Sequence, residues 1–335
     1  MNDPADLPPL GPVRPVPSPF VSIATLPNGL TVQVAPREGV PVVTIRLVTR
    51  GGMSDDPASS PGLARLLAQG LREGTRTRTG AELADLAQEA GGDLYSGAGP
   101  DSLTIAASGL ATRFELLLDL VADLAKSPAF PGDGVARVKH LAHEDLETSE
   151  SEAFFLAARA FARSLYGDHP YGTISPTAAS IDAVTPAILA AEAARRLRPE
   201  RALLVVAGDV DPAAVHAGAE RLFGDWSGRG DAPPPVPAPV VSAGSRRIEV
   251  LDRPGSVQTN LLVGNLGFPR TDPDAHPLEL AMTIYGGSFT SRLVQNLREE
   301  KGYTYSPGAG ASWLDGSGTA RSFAAVRNEV TGAGL

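Results

Sequence analysis

Residues Pro61 to Thr75, with the sequence PGLARLLAQGLREGT, decide the fold of this chain. Ser59 and Ser60 precede them as candidate helix caps, and proline is favoured in the first turn of a helix. Gly74 is typical of a helix end. Leucines recur at three- and four-residue intervals on one broad stripe: Leu63, Leu66, Leu67 and Leu71. The pattern predicts an amphipathic helix with one face in a hydrophobic core.

The size and composition indicate a globular protein. The 335 residues are enough for two domains with cores of their own. Apolar residues make up 42%, and 36 glycines with 30 prolines stay below the level that indicates disorder throughout. Aromatic residues are only 5%, so the cores must consist mainly of Leu, Val, Ala and Ile.

The charge balance, the absence of cysteine and the lengths of the apolar runs exclude several kinds of partner and of chemistry. The net charge is −9 and no block of Lys or Arg stands out, so we expect neither nucleic acid nor an anionic membrane as a partner. The absence of cysteine excludes disulfides, Cys–zinc sites and thiol catalysis. No apolar run reaches the roughly 18 residues of a membrane span.

The first 19 residues are rich in proline and contain no apolar segment of the kind found in signal peptides. They predict a partly extended leader. The compartment stays open: the protein would be cytoplasmic if Met1 is the native start, and periplasmic if a signal peptide has been removed.

The remaining chain divides into two predicted α+β domains joined by a Pro/Gly-rich linker at residues 227–244. In the first domain, residues 20–226, we expect strands at 30–36, 42–50, 93–97, 102–108 and 201–210. Helices are expected there at 61–72, 80–90, 111–126, 134–148, 152–166, 186–197 and 212–223. In the second domain, residues 245–335, we expect strands at 246–251, 258–264, 304–313 and 318–326, and helices at 274–285 and 290–299.

The two predicted domains repeat one another. VPVVTIRLVTRGG from Val40 is echoed by GSVQTNLLVGNLG from Gly255, an offset of 215 residues. DDPASSPGLA is echoed at nearly the same offset by RTDPDAHPLELA. An ordered internal repeat predicts two homologous domains. The second is much shorter, so we expect it to be incomplete.

Four further motifs resemble the M16 (pitrilysin, insulinase and mitochondrial processing peptidase) metallopeptidases. They are LPNGLTV from Leu26, GGDLYSGAGPDSLTIAA from Gly91, LYGDHPYG from Leu165 and GGSFTSRLVQNLREEKGYTYS from Gly286. The resemblance covers nearly the whole chain. It implies two related α+β domains, each a mixed β-sheet with helices on one face. It also implies a chamber in which an extended peptide adds to a sheet edge.

In this resemblance the helix at 61–72 corresponds to the family's zinc helix, G-x-A-H-x-x-E-H-x-x-x-x-G-T. The frame is matched by Gly62, Ala64, Gly74 and Thr75. Arg65 replaces the first histidine, Ala68 the glutamate and Gln69 the second histidine. Arginine has no free lone pair and stays protonated, and alanine can neither accept nor donate a proton. We therefore expect no zinc and no catalytic residue in this chain.

The family's third zinc ligand is a glutamate on a later helix, where Glu144 and Asp145 fall in this sequence. One carboxylate alone does not hold a catalytic zinc, which usually has three protein ligands. These carboxylates are therefore expected to be solvated, or to pair with Arg65 at the former metal position.

The segment from Gly286 implies substrate-binding residues. M16 proteins carry there an Arg-x6-Tyr pair, and Arg298 and Tyr305 have that spacing. A guanidinium and a phenol can both donate hydrogen bonds to peptide carbonyls or to a developing oxyanion. The alternative is that Arg298 is a helix charge paired with Glu299 or Glu300, and that Tyr305 is a half-buried strand residue.

Other chemistry finds less support in the sequence. His140, His143 and Glu144 spell H-x-x-H-E and could form a displaced metal site, although two histidines on a charged helix are more often surface residues. No G-x-S-x-G elbow and no phosphate-binding glycine loop follows a predicted strand. The glycine-rich stretch at 91–99 is either a turn or a sheet edge that a peptide backbone approaches closely.

These observations predict a non-catalytic subunit of a heterodimeric M16-type zinc peptidase. Its partner would carry the intact H-x-x-E-H motif and the zinc, and this chain would supply half of the peptide-binding chamber. One alternative is a structural or assembly protein of the same fold without a role in proteolysis. The other is a stand-alone metal hydrolase that uses His140, His143 and Glu144.

Overall fold

The computed structural model describes residues 11–12, 18, 20–228, 236–239 and 247–335. Most of the predicted leader and most of the predicted linker lie outside these residues. The strands are β1 (Ser22–Thr25), β2 (Thr31–Pro36), β3 (Val42–Arg50), β4 (Asp93–Ala98), β5 (Ser102–Leu110), β6 (Ala202–Gly208), β7 (Gln258–Gly267), β8 (Gly308–Leu314) and β9 (Ser317–Arg327). The helices of the first domain are α1 (Leu63–Leu71), α2 (Gly80–Glu89), α3 (Phe114–Lys126), α4 (Gly132–Ser151), α5 (Ala153–Tyr166), α6 (Ala178–Asp182), α7 (Pro186–Arg196) and α8 (Pro212–Phe223).

A six-stranded sheet in the order β1-β2-β6-β3-β5-β4 organises the first domain. β2 and β6 are parallel and the other neighbours are antiparallel, so the sheet is mixed. Along β3 every second side chain is buried, as at Val43, Ile45 and Leu47. This period of two places one face of the sheet against the helices and leaves the other more exposed. The predicted α+β class is confirmed.

Helix α1 packs into the centre of this core. Its leucines at positions 63, 66, 67 and 71 are each less than 5% exposed, which confirms the apolar stripe. Burial of one leucine side chain contributes about 2 kcal/mol to folding. Four leucines on one short helix therefore fix its orientation whatever the residues on its other face.

The start of α1 differs from the prediction. Neither Ser59 nor Ser60 caps the helix; Gly62 is the N-cap and has the left-handed φ of +84°. A side chain at Gly62 would also collide with Pro176, 2.6 Å away. The acceptor for the first turn comes from outside the helix, since Asp56 Oδ1 accepts a hydrogen bond from the Ala64 amide at 2.9 Å.

Asp56 in turn belongs to a network around the buried guanidinium of Arg196, at the end of α7. Arg196 is 0% exposed and forms ion pairs with Asp56 at 2.7 Å and Glu192 at 2.8 Å. Its Nη1 donates to the carbonyl oxygens of Gly51 and Gly52 at 2.8 and 2.6 Å. Burial raises the pKa of the Asp56 carboxyl, and the charge of Arg196 opposes that shift. The network ties the loop before α1 to α7.

The second domain repeats part of the first. Its sheet has the order β7-β9-β8, and its helices are α9 (Ala275–Met282), α10 (Arg292–Val294) and α11 (Thr331–Gly334). A π-helix over Thr283–Gly287 follows α9, and another over Gln295–Glu300 follows α10. β8 and β9 begin 215 residues after β4 and β5, in agreement with the repeat seen in the sequence.

The strand predicted at 246–251 does not form in its described part, residues 247–251. Ile248 and Val250 there are each 84% exposed. The corresponding segment of the first domain is β2, which is hydrogen-bonded to β1 and β6. Among the described residues the second domain has no counterpart of β6, so this segment has no strand to pair with, and all three strands of its sheet are antiparallel.

The two domains meet at the tips of their equivalent hairpins, β4–β5 and β8–β9. Asp101 accepts hydrogen bonds from the Tyr171 hydroxyl at 2.5 Å and from the Asp315 amide at 2.9 Å. Tyr166 bonds to Thr319 at 2.8 Å, and His169 Nε2 donates to a linker carbonyl, that of Pro237, at 2.7 Å. The LYGDHPYG motif therefore connects the domains.

Replacement of Arg196 should destabilise the first domain strongly. The change Arg196→Leu leaves Asp56 and two carbonyls buried without their donor, at a cost of about 3–5 kcal/mol. Arg195→Leu is the matched control, because Arg195 shares Glu192 but is partly exposed and should cost about 1 kcal/mol or less. Urea unfolding followed by circular dichroism measures both, and equal midpoints for the two variants would contradict the account.

Replacement of Tyr171 should loosen the contact between the domains. Burial and the hydrogen bond to Asp101 raise the pKa of Tyr171 above its ordinary value of 10. The Tyr171 contribution to stability is therefore present below pH 10 and declines as the pH rises further, because the unfolded chain then loses the proton first.

In Tyr171→Phe, hydrogen exchange in the β8–β9 hairpin should accelerate at neutral pH, and the decline in stability above pH 10 should be smaller. Tyr95→Phe is the control, because Tyr95 is 55% exposed on β4. If hydrogen exchange in the β8–β9 hairpin of Tyr171→Phe is unchanged, the hydrogen bond between Tyr171 and Asp101 does not help to hold the domains together.

Candidate functional site

Helix α1 carries the three residues that the resemblance places at the zinc-motif positions, and they differ in exposure. Arg65 is exposed, Ala68 is 0% exposed, and Gln69 is half-buried. The Gln69 Oε1 atom is buried without a hydrogen-bond partner among the described residues. A guanidinium, a buried methyl group and a single amide oxygen do not form a zinc site, which requires several lone-pair donors around one point.

The carboxylates on α4 do not complete a metal site with these α1 residues. Glu144 and Asp145 are both exposed, and no ion pair joins either of them to Arg65, so that predicted pairing is not formed. The residue of this turn that packs against the core is Leu146. Helix α4 therefore presents an apolar side chain, and no carboxylate, toward the interior.

The displaced metal site predicted at His140, His143 and Glu144 is not formed either. His143 Nε2 bonds to Asp182 on α6 at 2.9 Å, whereas His140 lies 3.4 Å from Glu144. Each imidazole thus has its own carboxylate partner. Within the described part of the chain, no group of three or more His, Cys, Asp or Glu side chains is placed to hold a metal ion. The stand-alone metal hydrolase therefore loses its proposed site.

An edge strand lies directly beside the α1 positions. β4 is the outermost strand of the six-stranded sheet, and Ser96 in its centre donates a hydrogen bond to the Ala68 carbonyl at 2.5 Å. The glycines before it serve the turn, since a side chain at Gly92 would lie 1.7 Å from the Ser108 carbonyl oxygen. The stretch at 91–99 thus contains both the predicted turn and a sheet edge.

The structure brings Arg298 and Tyr305 together. The Arg298 guanidinium carbon lies 4.4 Å from the centre of the Tyr305 ring, a cation–π distance. Arg298 lies on the π-helix Gln295–Glu300, and Tyr305 on the loop before β8, with 78% of its surface exposed. Arg298 Nε also lies 3.2 Å from Glu299, as the alternative interpretation expected. Tyr305 is not the half-buried strand residue of that alternative.

Phe289 is a third member of this cluster that the sequence analysis missed. Its ring centre lies 4.7 Å from the Arg298 guanidinium carbon, and the ring is 66% exposed. A phenylalanine has no titratable or donor group, so no chemical motif indicates it. The available signal was its position within GGSFTSRLVQNLREEKGYTYS, which also contains Arg298 and Tyr305.

Among the described residues, every helix is too short or too polar to cross a lipid bilayer.

Comparison with known proteins assigns both parts of the chain. Residues 32–173 match the family model "Insulinase (Peptidase family M16)", and residues 183–329 match "Peptidase M16 inactive domain". A Mycobacterium leprae protein named as an uncharacterized zinc protease is 30% identical over 84% of this chain, and the match spans 64% of that protein. A Rickettsia felis protein with the same description is 26% identical over 92% of this chain and 74% of its own length.

Solved structures agree with these matches. A peptidase M16 inactive domain from Pseudomonas fluorescens superposes with a TM-score of 0.85 and 28% identity, covering 92% of this chain and 75% of its own. A protease from Helicobacter pylori has a TM-score of 0.87 at 18% identity, covering 93% and 76%, which supports the fold alone. The two family models together cover most of the sequence, and the repeated sheets agree with them: this chain belongs to the M16 peptidase family.

Proposed function

We propose that this chain is a non-catalytic subunit of a heterodimeric M16-type zinc peptidase. It contributes half of a peptide-binding chamber and the Arg298/Tyr305 pair, and a partner with the intact H-x-x-E-H motif contributes the zinc. The peptide substrate is an extended segment of polypeptide.

The observation that carries the proposal is the contact between Arg298 and Tyr305. A guanidinium 4.4 Å from a largely exposed phenol ring is positioned to donate hydrogen bonds to peptide carbonyls. The α1 positions cannot polarise water, because Arg65 is a permanent cation and Ala68 is a buried methyl group. A subunit that depends on a catalytic partner is expected to have substrate-binding groups and to lack a metal centre of its own.

The edge strand β4 also supports a role in peptide binding without a metal centre in this chain. Its outer edge carries no further strand among the described residues, so an extended peptide could add to it by main-chain hydrogen bonds. β4 is fixed to α1 through Ser96, a hydrogen bond that keeps the edge in place and requires no ion. Peptide binding thus requires the sheet and α1 packing, and neither depends on zinc in this chain.

Mixing the two subunits tests the proposal. This chain alone should not cleave an unfolded protein or a fluorogenic peptide, and addition of the zinc-bearing M16 protein of the same organism should produce activity. In the pair, Arg298→Ala and Tyr305→Phe should each lower kcat/KM by about 10-fold or more, because transition-state donors are worth a few kcal/mol.

The zinc content of the pair should stay the same in both variants. Arg292→Ala is the matched control, since Arg292 is an exposed arginine of the same segment. Cleavage by this chain alone, or full activity of the partner alone, would contradict the proposal. If Arg298→Ala leaves the paired activity unchanged, the chain is instead an assembly protein of this fold.

A second test replaces the α1 residues. The double variant Arg65→His/Gln69→His places two imidazoles at i and i+4 on one helix face, and it should bind zinc at micromolar concentrations where the wild type does not. It should still not cleave peptides, because Ala68 supplies no general base. Elemental analysis and the peptide assay measure the two outcomes, and one zinc per wild-type chain would overturn the assignment of α1.

A further inference from the structure

The Arg298 guanidinium lies close to two aromatic rings. Its guanidinium carbon is 4.7 Å from the Phe289 ring centre and 4.4 Å from that of Tyr305. A planar guanidinium has two faces, and an aromatic ring attracts each by its quadrupole. Both rings are mostly exposed, at 66% and 78%, so neither is needed to fill the core of the second domain.

This packing leaves the edge of the guanidinium available. The Nε atom lies beside Glu299, and neither Nη1 nor Nη2 donates to any of the described residues. Four N–H donors in one plane therefore have no acceptor among the described residues. Such a fork matches two coplanar acceptors, which are a carboxylate or the carbonyl oxygens of an extended peptide.

An arginine on an exposed helix would otherwise occupy many rotamers, because its side chain has high conformational entropy. Glu299 is its sequence neighbour and is itself half-exposed, so this ion pair alone confines the guanidinium weakly. The rings of Phe289 and Tyr305 add two further contacts that confine it. The segment that carries Arg298 is also a π-helix, a conformation found frequently at functional sites.

We propose that Phe289 is a positioning residue of the peptide-binding site. Its ring holds the Arg298 guanidinium in the orientation that presents Nη1 and Nη2 to the peptide carbonyls. This inference rests on the proposed function of Arg298. Phe289 itself donates no hydrogen bond, and its effect on the substrate passes through Arg298.

The test uses the pair of subunits and a peptide substrate. Phe289→Leu should raise KM by about 3- to 10-fold with a smaller change in kcat, and Phe289→Tyr should restore the KM of the wild type because it keeps an aromatic face. Phe20→Leu is the matched control, because Phe20 is 69% exposed in the first domain.

A spectroscopic measurement on this chain alone separates the two proposals. In the folded wild type, the Arg298 Hδ protons should be shifted upfield by the ring currents, and Phe289→Leu should reduce that shift while Phe289→Tyr retains it. Selective arginine labelling makes the signal observable without the partner.

The outcomes distinguish the two proposals. If Arg298→Ala lowers paired activity but Phe289→Leu changes neither KM nor the Hδ shift, the positioning role is overturned and the proposed function stands. If Arg298→Ala has no effect on the pair, the proposed function fails and the role of Phe289 in peptide binding fails with it.

Discussion

A single buried guanidinium, that of Arg196, joins the parts of the first domain on which the α1 surface depends. It forms ion pairs with two carboxylates and donates to two carbonyl oxygens, and one of those carboxylates, Asp56, accepts a hydrogen bond from the amide of Ala64 at the start of α1. A buried charge is costly unless it is paired and hydrogen-bonded, and the Arg196 guanidinium is both. Hydrogen bonds and ion pairs between protein groups thereby place helix α1 and, through Ser96, the neighbouring strand β4.

The sequence predicted the helices and strands whose periodicity is strong. The prediction failed where the local structure depends on contacts with a distant segment of the chain. β3 at Val42–Arg50 and α8 at Pro212–Phe223 have the predicted bounds. The short strand β1 and the five-residue α6 were missed, because four or five residues carry too little periodicity. Residues 247–251 alternate like a strand but find no partner, and strand formation depends on one. The acceptor at the start of α1 likewise comes from Asp56, outside the helix.

The residue types at the zinc-motif positions of the candidate site could be predicted from the sequence, but the contacts between its side chains could not. The sequence alone shows that Arg65, Ala68 and Gln69 differ from the residues of the zinc motif, because the residue type determines which lone pairs and protons a side chain offers. Of the two expectations for Glu144 and Asp145, exposure to solvent agrees with the structure and pairing with Arg65 does not, since helix phase directs Glu144 to solvent and Leu146 to the core. The contact of Arg298 with Tyr305 needed the fold, and Phe289 carried no chemical signal at all.

The π-helix at Gln295–Glu300 has a consequence for the length of its segment. A π-turn contains one residue more than an α-turn, so loss of a single residue there would let the backbone relax into an ordinary helix. Each residue of an α-helix advances by about 100°, and the guanidinium would rotate by roughly that angle away from its rings. The chain can therefore change side chains in this stretch more easily than it can change the number of residues.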